Sequence, residues 1–161
     1  MPEQFPATSP ADMPAREVVA RMSGLEYMQA IVEGRLAGAP IAAVMNFRMH
    51  EMTFGEAAFR GTAEFQHLNP MGGVHGGWYG TVLDSAMGCA VATTLEPGAG
   101  YTTLEYKVNL IRALKTGVLV ECRARVQHAG RSTAVAEGTI IGVEDGKLYA
   151  TGSTTCIILR G

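Results

Sequence analysis

Residues 78–95 read WYGTVLDSAMGCAVATTL, and the way this stretch folds decides the rest. Trp78, Val82, Leu83, Ala86, Met87, Ala90, Val91 and Leu95 recur at steps of three, four and one, which is helical periodicity. The other face carries Gly80, Thr81, Ser85, Gly88 and Cys89, all small or weakly polar. A helix with almost no solvated side is enclosed nearly all round. Roughly 20 apolar residues would also cross a bilayer, but Gly76, Gly77, Gly80 and Gly88, with Asp84 among them, oppose a span. The helix is expected inside protein, and no membrane partner is expected.

Beyond Glu96-Pro97-Gly98 the period changes to two. Leu104, Tyr106, Val108 and Leu110 alternate with Glu105, Lys107 and Asn109. Val118, Val120, Cys122, Ala124 and Val126 alternate with Leu119, Glu121, Arg123, Arg125 and Gln127. Thr133–Val143 and Lys147–Ile158 continue as strands. Short turns at Lys115-Thr116-Gly117, His128-Ala129-Gly130-Arg131 and Asp145-Gly146 predict a meander of four antiparallel strands. Upstream, Leu25, Met28, Ile31 and Val32 predict a short helix, Ile41–Met49 a strand after Pro40, and Glu56–Phe65 a second strand. Residues 1–15 hold four of the seven prolines. Residues 1–23 are therefore expected to be a loose arm and residues 24–161 one domain.

A single helix this apolar needs a sheet wrapped around it, because a flat contact would leave half of it wet. The expected fold class is α+β, with a curved antiparallel sheet of five to six strands around one long central helix, plus a short N-terminal helix. The sheet's other face and an edge stay available for self-association.

Composition narrows the function classes. The 161 residues include 13 basic and 15 acidic side chains, a net charge of −2, which gives nucleic acid no electrostatic footprint. Hydrophobic residues make up 47% and charged residues 17%, too apolar for a disordered chain. The 20 glycines exceed the usual ~7% and imply sharp turns or close backbone approach. Cys89, Cys122 and Cys156 are an odd number without paired spacing, in apolar runs, as expected of free thiols in a reducing compartment. The N-terminus does not read as a secretory signal, so cytoplasmic location is expected.

Two features carry chemistry. Gln66–Gly77 (QHLNPMGGVHGG) leads from a strand into the N-terminus of the enclosed helix, where unpaired N–H groups and glycines can receive a negative oxygen. Asp84 is the only charge between Gly76 and Leu95. A carboxylate in an enclosed element is costly unless partnered or lining a cavity, and such acids mark functional sites. No metal site is expected. His67, His75 and Asp84 fit no helical pair of ligands, and the glycine-rich segment between the histidines is a poor frame.

Asn69, Gly73, His75, Gly76, Gly77 and Asp84 fall in the pattern N-P-x-G-x-x-H-G-G followed by a helix with an acid. This resembles the hotdog-fold acyl-CoA thioesterases, in particular the phenylacetate-pathway branch and the related 4-hydroxybenzoyl-CoA thioesterases. The likeness runs from Gly24-Leu25-Glu26 through residues 104–109 to the final strands. It implies hydrolysis of an acyl- or aryl-CoA thioester to acid and CoA, with CoA arriving as part of the substrate and no separate cofactor. Asp84 would be nucleophile or general base, the Gly76 N–H would polarise the thioester carbonyl, and Asn69 would help orient it. Thr103, or its neighbour Thr102, would hold the attacking water. His75 is read as bracing the turn. Arg131, Ser132 and Thr133 resemble the turn that contacts CoA, with Arg112 and Lys115 as further cations. Trp78, Tyr79 and Met87 line the acyl pocket or pack the core.

Gly76 and Asp84 are eight residues apart on one helix, hence about 12 Å apart. They cannot serve one carbonyl from the same chain. If both act, the helix tip of one subunit meets Asp84 of another, so a homodimer with shared sites is expected, extended to a homotetramer through the spare sheet face. Two other readings use the same fold: a hydratase or dehydratase of acyl-CoA, whose histidine–acid order is absent here, and a non-catalytic acyl-CoA-binding module.

Overall fold

The computed structural model describes residues 3–160. A 3-10 turn (Pro10–Asp12) and three short helices, α1 (Arg16–Val19), α2 (Gly24–Val32) and α3 (Pro40–Val44), come first. Strands β1 (Phe47–Thr53) and β2 (Glu56–Thr62) lead through a second 3-10 turn (Phe65–His67) into α4 (Gly76–Ala92). Then follow β3 (Ala99–Leu110), β4 (Leu119–Ala129), β5 (Thr133–Gly142) and β6 (Leu148–Arg160). All six strands form one antiparallel sheet in the order β1-β2-β4-β5-β6-β3, and every one of them contacts α4. This is the hotdog arrangement that the resemblance implied. No described helix is long and apolar enough to cross a membrane.

The sheet accommodates the helix because its inner face is small where the helix lies. Register aligns Ala57, Ala124, Gly138, Gly152 and Val108 in one row across β2, β4, β5, β6 and β3. Leu83 and Met87 of α4 rest on Gly138 and Gly152, close enough that an added Cβ would meet them at 3.2–3.3 Å. Both side chains are fully buried, as are Val82, Ala86, Ala90 and Val91. Trp78, Tyr79 and Met87 belong to this core. Truncating Leu83 to Ala would cost about 2–5 kcal/mol.

Three local expectations are corrected. Residues 40–44 form a helix, not the start of a strand: Pro40 sits in its first turn, where proline's fixed φ suits a helix. Asn46, at φ 52°, turns the chain into β1. The carbonyls of Val44 and Met45 at the end of α3 accept from His67 Nε2 (2.9 Å) and Trp78 Nε1 (2.8 Å). The four-strand meander is also not what forms. Strand β3 pairs with β6 at the sheet's edge, and residues 111–118 cross the end of the sheet to reach β4 between β2 and β5. That crossing is tied by Ile111 N to Tyr149 O, Leu114 N to the Tyr79 hydroxyl and Gly117 N to Ala63 O. Lys115-Thr116-Gly117 is a genuine turn, but a turn signal does not name the strand's partner. Finally, β3 does not alternate strictly: its register slips between Thr103 and Glu105, and Leu104 points out, 58% exposed.

The N-terminal segment carries fixed contacts where a loose arm was expected. Gly38 N donates to Phe5 O, Ala7 N to Gly38 O, and the Gln4 amide to Met49 O, while Ala7 is buried.

Candidate active site

Helix α4 presents Gly76, Gly80, Asp84 and Gly88 at four-residue intervals, which places them in one row along its side. Strand β3 lies on this row. Leu110 covers Gly76, Tyr106 covers Gly80 and Tyr101 covers Gly88, where a Cβ would fall 2.7 Å from the tyrosine oxygen. Any larger side chain at Gly88 would push the strand away. Asp84 is the one member of the row with a functional group, and β3 brings Thr103 to it: Thr103 Oγ1 donates to Asp84 Oδ1 at 3.0 Å.

The bulge in β3 makes that meeting possible. Without it Thr103 and Tyr106, an odd number of residues apart, would face opposite sides of the sheet. The slip lets Tyr101 and Thr103 on one side of it, and Tyr106 and Leu110 on the other, all reach the helix. Buried Thr154 pins the bulge by donating to Glu105 O at 2.7 Å. Thr154 was not singled out from sequence. A lone threonine in a strand gives no signal of a neighbour's bulge.

Around Asp84 the surroundings are apolar and weakly acidic. Burial, then the Asp84 charge, pushes the Cys89 thiol up to about 12. Burial, then the neighbouring Cys89 and Cys156 thiols and the Asp84 charge, raises the Tyr101 phenol well above its ordinary value. The thiols are therefore protonated bystanders. Asp84 and Cys89 keep partial solvent access, unlike Cys122 and Cys156.

The second group of candidate residues lies at the tip of α4. Asn69 Oδ1 accepts from Met71 N (2.9 Å) and Gly73 N (3.2 Å), and Asn69 N donates to Gly73 O, closing a small loop in which Gly72 takes φ 81°. The Asn69 amide nitrogen has no acceptor among the described residues. His75 caps α4: its Nδ1 accepts from Gly77 N at 2.8 Å, and Trp78 N donates to His75 O. These bonds serve Gly77 and Trp78, while the Gly76 N–H, half exposed beside Leu110, has no acceptor among the described residues. His67 is structural. Buried, it accepts at Nδ1 from Glu64 N and bonds Val44 O through Nε2. Among the described residues no group of histidine, cysteine, aspartate or glutamate could hold a metal.

Within one chain the two groups do not meet. Asp84, bonded by Thr103, stands two turns along the helix from Gly76, about 12 Å away. The cations are split likewise. Arg112 follows the Leu110 end of β3, its N–H bonded to Tyr149 O. Arg131, Ser132 and Thr133 are exposed at the other end, where Ile158 N donates to Ser132 O and Arg160 Nε to Arg131 O. Two exposed side chains flank the helix-tip loop and were not expected from the sequence: Phe65 (86% exposed) and Met71 (94%).

Known proteins share this fold. The thioesterase superfamily matches residues 71–149, which span the helix tip, Asp84 and β3 to β5. The crystal structure of a phenylacetic acid degradation-related protein from Ralstonia eutropha JMP134 is 30% identical, with a TM-score of 0.74 over 81% of this chain and 98% of that one. The chain belongs to the thioesterase superfamily. A hypothetical thioesterase protein from Streptococcus pneumoniae TIGR4, solved with coenzyme A, is 25% identical, with a TM-score of 0.67 over 75% of this chain and 93% of that one. Acyl-coenzyme A thioesterase 13 of Mus musculus is 30% identical over 92 residues, 57% of this chain and 65% of that protein. The chain spans just under two thirds of the length of the curated relatives it matches.

Proposed function

We propose that this chain is an acyl-CoA thioesterase that hydrolyses acyl- or aryl-CoA to free acid and CoA at sites shared between two subunits. The observation that carries the reading is the Asp84–Thr103 pair, set in a row of glycines beneath an edge strand and two helical turns from the free Gly76 N–H. A thioester is already reactive, so one aimed carboxylate and one or two fixed donors suffice. Asp84 either attacks the carbonyl carbon or takes the proton from an attacking water that Thr103 helps hold. The Gly76 N–H and the Asn69 amide receive the oxygen as it gains charge. The carbon–sulfur bond then breaks. On the base route the sulfur leaves as the CoA thiol with the proton that Asp84 took from water. On the nucleophilic route the acyl group stays on Asp84 as an anhydride until water cleaves it, that water supplying the thiol's proton.

The geometry of β3 supports the shared site. It is a bare edge of 12 residues with Leu104, Tyr106 and Leu110 exposed, and such an edge invites another strand. Antiparallel pairing with a second copy of β3, centred between Tyr106 and Lys107, would set Thr103 opposite the partner's Leu110. Asp84 of one chain would then face Gly76 of the other, and Arg131 of one would approach Arg112 of the other, both near the phosphates of CoA. The outer sheet face, with Arg60, Arg123 and Arg125 alternating with Glu51, Glu121 and Glu137 in ion pairs, would serve a dimer of dimers.

The test is thiol release from a panel of aryl, short-chain and long-chain acyl-CoA. The wild type should release CoA, and Asp84→Ala should lose about 10³-fold or more in kcat while keeping its assembly. Turnover by Asp84→Ala near the wild-type rate would discard the mechanism. Binding without thiol release by the wild type would assign the chain to non-catalytic acyl-CoA binding.

A further inference from the structure

A cavity of about 510 Å³ lies on the side of α4 away from β3, between the helix, β1, α2, α3 and the N-terminal segment. Its floor is apolar: Ile31, Phe47 and Phe59 are buried, and Val32 and Ala42 half-buried. Polar side chains, Glu3, Arg48 and His50, are also among its lining and are solvent-exposed. The helix contributes Ser85 and Cys89. Ser85 follows Asp84 directly, about 100° round the helix axis from it, and Cys89 lies one turn further on. The cavity therefore begins beside the reacting carboxylate.

From this placement we infer that the cavity receives the acyl group, and that the chain's own N-terminal segment, residues 3–6 with α3, sets the size of acyl group accepted. The inference rests on the thioesterase reading above. A thioester carbonyl at Asp84 has CoA leading out along the β3 edge, and its acyl group must go the other way, past Ser85. On that side the chain leaves a concave apolar space rather than packed core. At about 30 Å³ for a water-sized group, of which a methylene is one, the space holds roughly 17 carbons, well beyond an acetyl or propionyl group. The volume is typical of a small-molecule site. The segment that walls it is fixed in place: Gln4 donates to Met49 O, and Phe5 and Ala7 bond Gly38. With no charged group on the floor, the substrate class is medium- to long-chain or aryl acyl-CoA, not dicarboxylic or short hydroxyacyl groups.

Ala42→Trp fills the cavity from α3 without touching Asp84, Thr103 or the helix tip. Two measurements on the full chain test the proposal, with an unchanged melting temperature as the control for folding. The ratio of kcat/KM for dodecanoyl-CoA to that for propionyl-CoA should favour the long chain in the wild type and fall at least tenfold in Ala42→Trp. Equilibrium binding, measured in the Asp84→Ala background so that the thioester survives, should show dodecanoyl-CoA tighter than CoA itself, with the difference lost when Ala42→Trp is added. Phe5→Ala, which opens the wall and leaves the core intact, should shift the preferred chain length upward. A ratio unmoved by Ala42→Trp and Phe5→Ala, or equal binding of dodecanoyl-CoA and CoA by Asp84→Ala, overturns the cavity's role. Absence of thiol release from every substrate, with the binding difference present, overturns only the hydrolytic reading.

Discussion

The two edges of the sheet differ in what the chain does with them. Strand β1 is covered from within: Gln4 bonds Met49 O, Gln29 bonds Met52 O, and α2 and α3 pack alongside. Strand β3 is longer, carries Leu104, Tyr106 and Leu110 exposed, with Ile111 just past its end, and has nothing laid over it among the described residues. Sheet edges are normally blunted, because open N–H and C=O groups recruit other strands. The chain protects one edge with residues 3–45 and leaves the other open, and the proposed dimer uses that second edge. The proposed reacting groups lie along the open edge, and the proposed acyl cavity under the covered one.

The contrast breaks most readily at β3. Leu104→Glu with Ile111→Glu places like charges along the pairing edge. By light scattering the assembly should fall to monomers, and turnover should drop by at least the ~10²-fold attributed to lost positioning. A monomer that keeps wild-type turnover would mean that each chain holds a complete site.

A smaller effect is expected one step inside the edge. Thr103→Val keeps the shape of the side chain and removes the hydrogen bond to Asp84. A hydrogen bond to a charged group is worth about 1.5–3 kcal/mol, so kcat should fall roughly 10- to 100-fold with assembly and KM little changed. If Thr102→Val gives the larger loss, the bulge at Leu104 does not set the register that the site uses.

The smallest effect concerns the covered side. Cys89 lines the cavity, but burial and then the Asp84 charge hold its thiol at about 12. An ordinary cysteine ionises near ~8.5. At pH 8 the thiolate fraction is accordingly tiny, and the native protein should react with disulfide reagents at least ~100-fold more slowly than free cysteine. Rapid modification at pH 8, without denaturant, would show that the covered side opens in solution.

Much of this layout was legible in the sequence, and the misses share a cause. The enclosed helix announced itself through apolar steps of three and four, and Asp84 as the one charge on it. Strands β4, β5 and β6 followed from alternation and hairpin turns. What local pattern did not carry was pairing: β3 looks like the first strand of a meander, yet it crosses to the far edge, because alternation marks a face and not a neighbour. The Leu104 bulge was hidden for a related reason. Its support is Thr154, 50 residues away, and only the bulge selects Thr103 over Thr102 as the partner of Asp84. The helix at residues 40–44 was missed because an apolar run of four or five residues reads equally as strand or helix; Pro40 at its start was the available clue. The proposed acyl cavity had no signature at all, being assembled from six separate stretches.

The central claim is that Asp84 of one chain works with the Gly76 N–H of another, and complementation tests it directly. Gly76→Pro removes that N–H at a helix position where proline is at home, after a His75 already extended at φ −63°, ψ 136°. Neither Gly76→Pro nor Asp84→Ala should turn over substrate alone. Dissociated and reassembled in equal amounts, they should regain about a quarter of wild-type activity, since half the dimers are mixed and each mixed dimer carries one intact site of two. No recovery, with mixed dimers demonstrated, would contradict the shared site.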